Sequence, residues 1–202
     1  MSASSRLLGQ HLAALRALLV LTVLLGLAYP LAVTGLGQLA FSRQADGSLV
    51  SSAGRTVGSS LLGQSFTDPD GNPLPKWFQP RPSAAGQTGY DPTASSASNL
   101  GPSNPDLVQA IADRRSQVAA FNSVPAAAVP ADAVTSSGSG LDPQISPAYA
   151  AIQVDRVARA RGLDPAAVGR LVQQHTQGRV LGFLGEPRVN VVDLNVALER
   201  LG

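Results

Sequence analysis

The residues of this chain that could do chemistry are few. It has one lysine, Lys76, two histidines, His11 and His175, and no cysteine. The absence of cysteine removes disulfides, thiolate metal ligands and thiol nucleophiles together. A phosphate-cradling P-loop needs G-x-x-x-x-G-K-[ST], and Lys76 stands in Pro75-Lys76-Trp77 with no such pattern. No aspartyl-phosphate signature is present either. The most conspicuous loop is Ser136-Ser137-Gly138-Ser139-Gly140-Leu141-Asp142. It resembles a G-x-S-x-G nucleophile elbow only loosely, because the spacing is wrong. A hydrolase built on Ser139 needs a base, and His175 is the candidate beyond the apolar N-terminal segment. His175 also falls on an apolar helical stripe, where a packed, hydrogen-bonded histidine is the better reading. The same loop leads through Asp142-Pro143 to the start of a helix at Ser146. Free N–H groups there can hold an anion, although a tight turn that needs glycine at positive φ explains the composition as well. Arg156, Arg159 and Arg161 form a basic side on that helix, which reads as a solvated face or, more sharply, as a subunit contact.

The elements that position these residues begin with an anchor. From Ala17 through Ser42, 26 residues, there is no charged side chain. Roughly 20 apolar residues suffice to cross a bilayer core as a helix, so residues 17–41 are expected to span it. A cleaved signal peptide would carry a shorter apolar region, followed by a small-x-small site. Gly35-Leu36-Gly37 is the sequence that could be offered as one. Arg6 and Arg16 precede the run; by the positive-inside tendency, residues 1–16 stay in the cytoplasm and residues 42–202 are exported. Pro30 sits within the span, where the carbonyl it orphans needs a local adjustment. Gly26, Gly35 and Gly37 leave thin places for another helix.

The rest of the chain, about 160 residues, suits one domain. Charged residues make up 14% and aromatics 4%, with 15 prolines and 20 glycines. Turns must therefore be frequent, and the core must rest on Ala, Val and Leu. A formal charge of +2 is too small to argue for nucleic acid. Residues 41–56 read as a polar connector with a turn at Asp46-Gly47, and Val57–Phe66 as a short strand. Residues 68–75 form a turn cluster, and 76–104 a long Ser/Pro/Gly/Ala stretch whose Trp77, Phe78 and Tyr90 argue for order. Asn104-Pro105, Ser146-Pro147 and Asp164-Pro165 each place a capping side chain before a proline at the first helical position. They predict helices to about Phe121, to Arg161 with Gly162 as its C-terminal cap, and to about Gln177. Val129–Ser136 is expected as a second strand and Arg188–Val192 as a third, turning at Asp193 into a terminal helix. Interleaved strands and helices give an α+β or small α/β domain anchored by one N-terminal transmembrane helix.

Ordered blocks along nearly the whole chain resemble the C subunit of the Kdp potassium-transporting P-type ATPases. They are Gly58-Ser59 with Leu62-Gly63-Gln64 and Phe66; Phe78 and Arg81-Pro82-Ser83-Ala84; Ser98-Asn99-Leu100 and Ser103-Asn104-Pro105; Ser137, Ser139-Gly140-Leu141-Asp142 and Ile145; Gln153, Arg156-Val157-Ala158 and Ala160-Arg161; and Gly185, Val189-Asn190-Val191 and Leu194-Asn195. The resemblance implies an accessory subunit, not itself an enzyme, of an ATP-driven potassium importer in the bacterial inner membrane. Its partners would be a channel-like potassium-translocating subunit, a P-type ATPase subunit and a small one-helix subunit. It implies no tightly bound cofactor and no metal. It also implies a catalytic-chaperone role, in which ATP affinity is raised through a transient ternary complex and Ser137, Gly138, Ser139, Gly140, Leu141 and Asp142 take part. Export of that loop conflicts with a cytoplasmic nucleotide, so a docking or gating domain over the potassium entrance is the alternative. A membrane-anchored exported hydrolase is a more remote one.

Overall fold

The computed structural model of the chain describes residues 3–201, with side chains from Leu7 onward. It falls into two units, one ending at Ser48 and the other beginning at Leu49. In the first unit, α1 (Ala3–Val23) passes through a wider π-turn (Leu24–Ala28) into α2 (Tyr29–Ala40), and a short α3 (Ser42–Ala45) follows. Pro30 explains the wide turn. It has no N–H to give to the carbonyl four residues back, and just before it the Tyr29 N–H bonds Leu24 O, five residues back. Leu7–Ala40 is the one helix among the described residues long and apolar enough to cross a membrane, and its side chains are exposed on all sides. The charge-free part, Ala17–Ala40, has a helical length of about 36 Å, enough for a bilayer core with modest tilt.

The second unit opens with a hairpin of β1 (Leu49–Ser52) and β2 (Arg55–Ser59), paired antiparallel. Its two-residue turn, Ala53-Gly54, has φ of 48° and 77°. Positive φ at both positions matches the strand twist, so the hairpin closes where composition suggested only a connector. The strand expected over Val57–Phe66 is therefore shifted, because the pairing with β1 stops at Ser59.

Three helices follow their sequence signals. α4 (Pro105–Asn122), α5 (Pro147–Arg161) and α6 (Pro165–Gln174) are capped by Asn104, Ser146 and Asp164, whose side chains accept from Asp106 N, Tyr149 N and Ala166 N. Gly162 ends α5 at φ 68°, with Leu163 N bonding Ala158 O. α6 stops three residues before the expected Gln177, because β4 (Thr176–Gln177) pairs with β5 (Arg188–Asn190) instead. β3 (Gln144–Ile145) flanks β5 on its other side, giving an antiparallel order β3-β5-β4. The strand expected over Val129–Ser136 is absent: Pro130 lacks a donor, and Ala131–Ala133 is a 3₁₀ turn that buries Ala133 and Val134. α7 (Val191–Glu199) starts two residues before Asp193, because the Asn190 side chain accepts from both Val192 N and Asp193 N. An α+β domain with one apolar N-terminal helix is thus the fold. Its core gathers Val157, Val168, Val189, Leu194, Leu198 and Phe78, all fully buried.

Candidate functional site

Residues 76–104 contain no helix or strand, yet Phe78 and Ala85 within them are fully buried. Their backbone polar groups must find partners, and helix side chains supply them. Asn195 on α7 accepts from Phe78 N and donates to Phe78 O, both at 2.9 Å. Gln153 on α5 does the same for the next residue, accepting from Gln79 N at 2.7 Å and donating to Gln79 O at 3.1 Å. Two carboxamides thus copy a β-ladder over consecutive residues.

Arg156 completes this arrangement. Its Nη1 donates to Pro75 O and to Trp77 O (2.9 Å), its Nε to Asn122 Oδ1 (2.9 Å), and its Nη2 to Gln153 Oε1 (2.6 Å). The guanidinium lies 4.3 Å from the centre of the Phe121 ring. Burial pushes its pKa down to about 10. The expected basic side of α5 is therefore not a face: Arg156 is buried, Arg161 lies over Trp77 with its Nε on Lys76 O, and Arg159 is exposed.

The glycine loop closes over the same irregular segment. Gly140 has φ 68°, and a Cβ there would stand 2.6 Å from Ser96 O and 2.8 Å from Ala85 N. Ser83 Oγ donates to Gly140 O at 2.6 Å and accepts from Tyr90 N at 2.8 Å. Ser139 O accepts from Ser96 N and from Ser95 Oγ, while Leu141 O accepts from Gly63 N. Asp142 Oδ2 meets Arg81 Nη1 at 3.1 Å, and Arg81 also donates to Thr135 O. Gly63 is held as tightly, since a Cβ would lie 2.3 Å from the Tyr90 ring. Burial, with the Asp142 carboxylate nearby, raises the Tyr90 phenol above its ordinary value; burial pushes Tyr149 up to about 12.

The six loop residues thus lie together, against segment 81–96. Two of the loop's N–H groups are engaged locally, Gly140 N with Ser137 O and Leu141 N with Ser139 Oγ, and just beyond the loop Gln144 N bonds Asp142 Oδ1. The one cation bonded to the loop, Arg81, is paired with a carboxylate. A triphosphate site draws on free N–H groups and unpaired positive charge, and the Arg81 guanidinium is shared between Asp142 and Thr135 O. At the start of α5, Tyr149 N is taken by Ser146 Oγ, and Asp132 accepts from Ser146 N and Oγ at 2.7 and 2.9 Å. The anion reading of that N-terminus therefore meets a carboxylate. His175 is half-buried at the end of α6, where its own N–H bonds Leu171 O, rather than within the buried stripe of Val168 and Val172. No hydrogen bond joins it to Ser139 among the described residues.

Beside the clasp lies an open cleft of about 850 Å³, between the Asp68–Pro73 turn, the 79–90 segment and α4, with Arg81, Tyr90, Arg114 and Tyr149 on its walls. The Asp68 carboxylate organises the turn by accepting from Asn72 N and Nδ2, which holds its pKa below the usual carboxylate range. Sequence reasoning did not single out Gln79, Asn122 or Asp132. Gln153 and Asn195 stood in the family blocks, but nothing local told that their carboxamides face a backbone segment more than 70 residues away.

Fold and site together define an α+β domain behind an apolar N-terminal helix, with its polar side chains committed to holding an irregular segment. Comparison with known proteins gives the family. Residues 11–200 match the family model described as K+-transporting ATPase, c chain. The chain is 55% identical to the potassium-transporting ATPase KdpC subunit of Kineococcus radiotolerans, over 97% of this chain and 96% of that one. It is 56% identical to the KdpC subunit of Sorangium cellulosum (92% and 95%) and 53% to that of Mycobacterium tuberculosis H37Rv (95% and 98%). The chain belongs to the KdpC family and is an accessory subunit of the K+-transporting ATPase.

Proposed function

We propose that this subunit is non-catalytic and serves potassium import by docking. In this reading its apolar helix crosses the bacterial inner membrane once, its N-terminus is cytoplasmic, and the domain from residue 42 onward is exported. There it meets a channel-like potassium-translocating subunit, in company with a P-type ATPase subunit and a small one-helix subunit. The observation that carries this reading is the commitment of the conspicuous polar residues to the clasp. Exposed apolar surface for subunit contact supports it too: in the turn closed by Val180 and Leu184, Leu181 is 80% and Phe183 67% exposed. The loop 137–142 acts as a structural clasp, and any effect on ATP affinity passes through a partner subunit rather than through a nucleotide held at this loop.

The test has two arms. Leaving the chain out of the complex should abolish potassium-stimulated ATPase activity and uptake; full activity without it would overturn the subunit role. A cysteine placed beside His175, in a chain with none of its own, should be labelled from outside intact cells by an impermeant maleimide. Labelling only after lysis would overturn the topology.

A further inference from the structure

An unpaired backbone carbonyl in water bonds solvent, but in hydrocarbon it must find its donor in protein. The apolar helix carries one such carbonyl. Leu25 O has two candidate backbone donors, at the residues four and five further on. Tyr29 N bonds Leu24 O instead, and Pro30 has no N–H to give. The π-turn thus serves Leu24 and leaves Leu25 O without a backbone donor. No side chain takes over: among the described residues, the one side-chain hydrogen bond within 7–37 joins His11 to Leu7 O. Thr22 lies on the same face, three residues before Leu25. Its hydroxyl does not return to a carbonyl four residues back, as that of Ser116 does to Ala112. Beside both stands Gly26, where the nearest atom to an added Cβ would be Thr22 Cγ2 at 3.9 Å. A neighbouring chain can therefore approach the carbonyl closely.

Leu25 is nine residues beyond Arg16, about 13 Å along the helix, and so within hydrocarbon if the helix crosses the bilayer. On that membrane-crossing reading, we infer that the face of Thr22, Leu25 O and Gly26 docks a transmembrane helix of another subunit. That helix carries a hydroxyl or carboxamide donor at the same depth. The donor bonds Leu25 O, and Thr22 Oγ1 makes a second polar contact beside it. Acyl chains offer no donor, so lipid does not complete this face. One helix encloses no ion path, so the K+-transporting ATPase of this family must bring other membrane-embedded chains. Those chains are the source of the donor.

The test measures how fast the full chain dissociates from the purified complex in detergent. Pro30→Ala separates docking from helix quality. It puts a better helix former in place and returns an N–H to the carbonyls behind it. The chain should nonetheless leave the complex about three- to tenfold faster, the range of one interhelical hydrogen bond. Gly26→Leu blocks the approach, and Thr22→Val removes the hydroxyl while keeping the shape; each should speed release about threefold. Val20→Cys, two residues from Thr22 and so on the far side of the helix, should be released like the unaltered chain. Its thiol, in a chain with no other, should resist a water-soluble maleimide in the membrane. Reaction of that thiol would overturn the membrane crossing, and the docking site with it. A hidden thiol together with unchanged release of Pro30→Ala would overturn the docking site and leave the crossing intact. An isotope-labelled Leu25 carbonyl should absorb at lower infrared frequency in the complex than in the chain alone; an equal frequency would overturn the hydrogen bond. Reconstituted by itself in vesicles, the chain should stay monomeric. Self-association that Pro30→Ala abolishes would assign the face to a second copy and overturn the choice of partner.

Discussion

Segment 76–104 and helix α5 both place residues in the buried interior but are held there by different means. α5 carries its own instructions: Ser146 and Pro147 start it, Gly162 ends it, and the bonds concerned span three to five residues. The irregular segment has local turn bonds at Ser83–Tyr90 and Asp91–Thr93, but its buried start at Phe78 and Gln79 is held from far away. Phe78 is fixed by a side chain 117 residues later and Gln79 by one 74 residues later. Local order and long-range order therefore fail differently when a side chain is removed, and that difference can be measured.

Arg156→Met should have the largest effect. It strands Pro75 O and Asn122 Oδ1, leaves Trp77 O only a long bond from Gln79 Nε2, and takes one of two donors from Gln153 Oε1, so chemical denaturation should show a loss of about 3 kcal/mol, with proteolytic nicking first within 76–104. Gly140→Ala should cost about 2–3 kcal/mol, from a left-handed φ and a Cβ driven into Ser96 O and Ala85 N. Its damage should appear in the exchange rates of the irregular segment and not in the far-UV helix signal. Asn104→Ala removes only a local cap and should cost about 1 kcal/mol, loosening the first turn of α4 while segment 76–104 stays protected. If Asn104→Ala loosened that segment as much as Arg156→Met, the contrast would be lost.

The last effect shows only in alkali. Tyr149, which is buried, and Tyr90 both have phenol pKa values raised in the folded domain, Tyr149 to about 12. The unfolded chain ionises near its ordinary value of 10 while the folded one does not. The stabilisation is therefore whole below pH 10 and is lost as pH rises toward 12. Absorbance at 295 nm should show these phenols ionising late, together with unfolding. Ionisation near pH 10 in a still-folded domain would contradict the burial of these phenols.

What could be read from the residues follows the same division. The apolar N-terminal helix was legible because its uncharged run is continuous, and the three Asx/Ser–Pro helix starts and the Gly162 stop because each signal and its consequence lie within one helical turn. The 129–136 strand was misplaced because buried Val129, Ala133 and Val134 imitate a strand, although Pro130 bends the chain into a 3₁₀ turn. The end of α6 was overrun because β4 forms only through pairing with β5, a tertiary event. At the loop, Gly140 was legible as a positive-φ glycine, but its closeness to Ala85 and Ser96 was not. The arginines of α5 read as one basic side because spacing gives direction around a helix and not depth. Arg156 turned out to be the donor that joins residues 75, 77, 122 and 153.

The central claim is that helix side chains, acting at long range, hold the irregular segment as firmly as helices hold themselves. Residue-resolved hydrogen–deuterium exchange on the full chain tests it most directly. The Phe78 and Gln79 amides should exchange as slowly as those in the middle of α5, and both should speed up together in Asn195→Leu and Gln153→Leu. Exchange of these two amides at unstructured-chain rates in the unaltered protein, with α5 protected, would contradict the account.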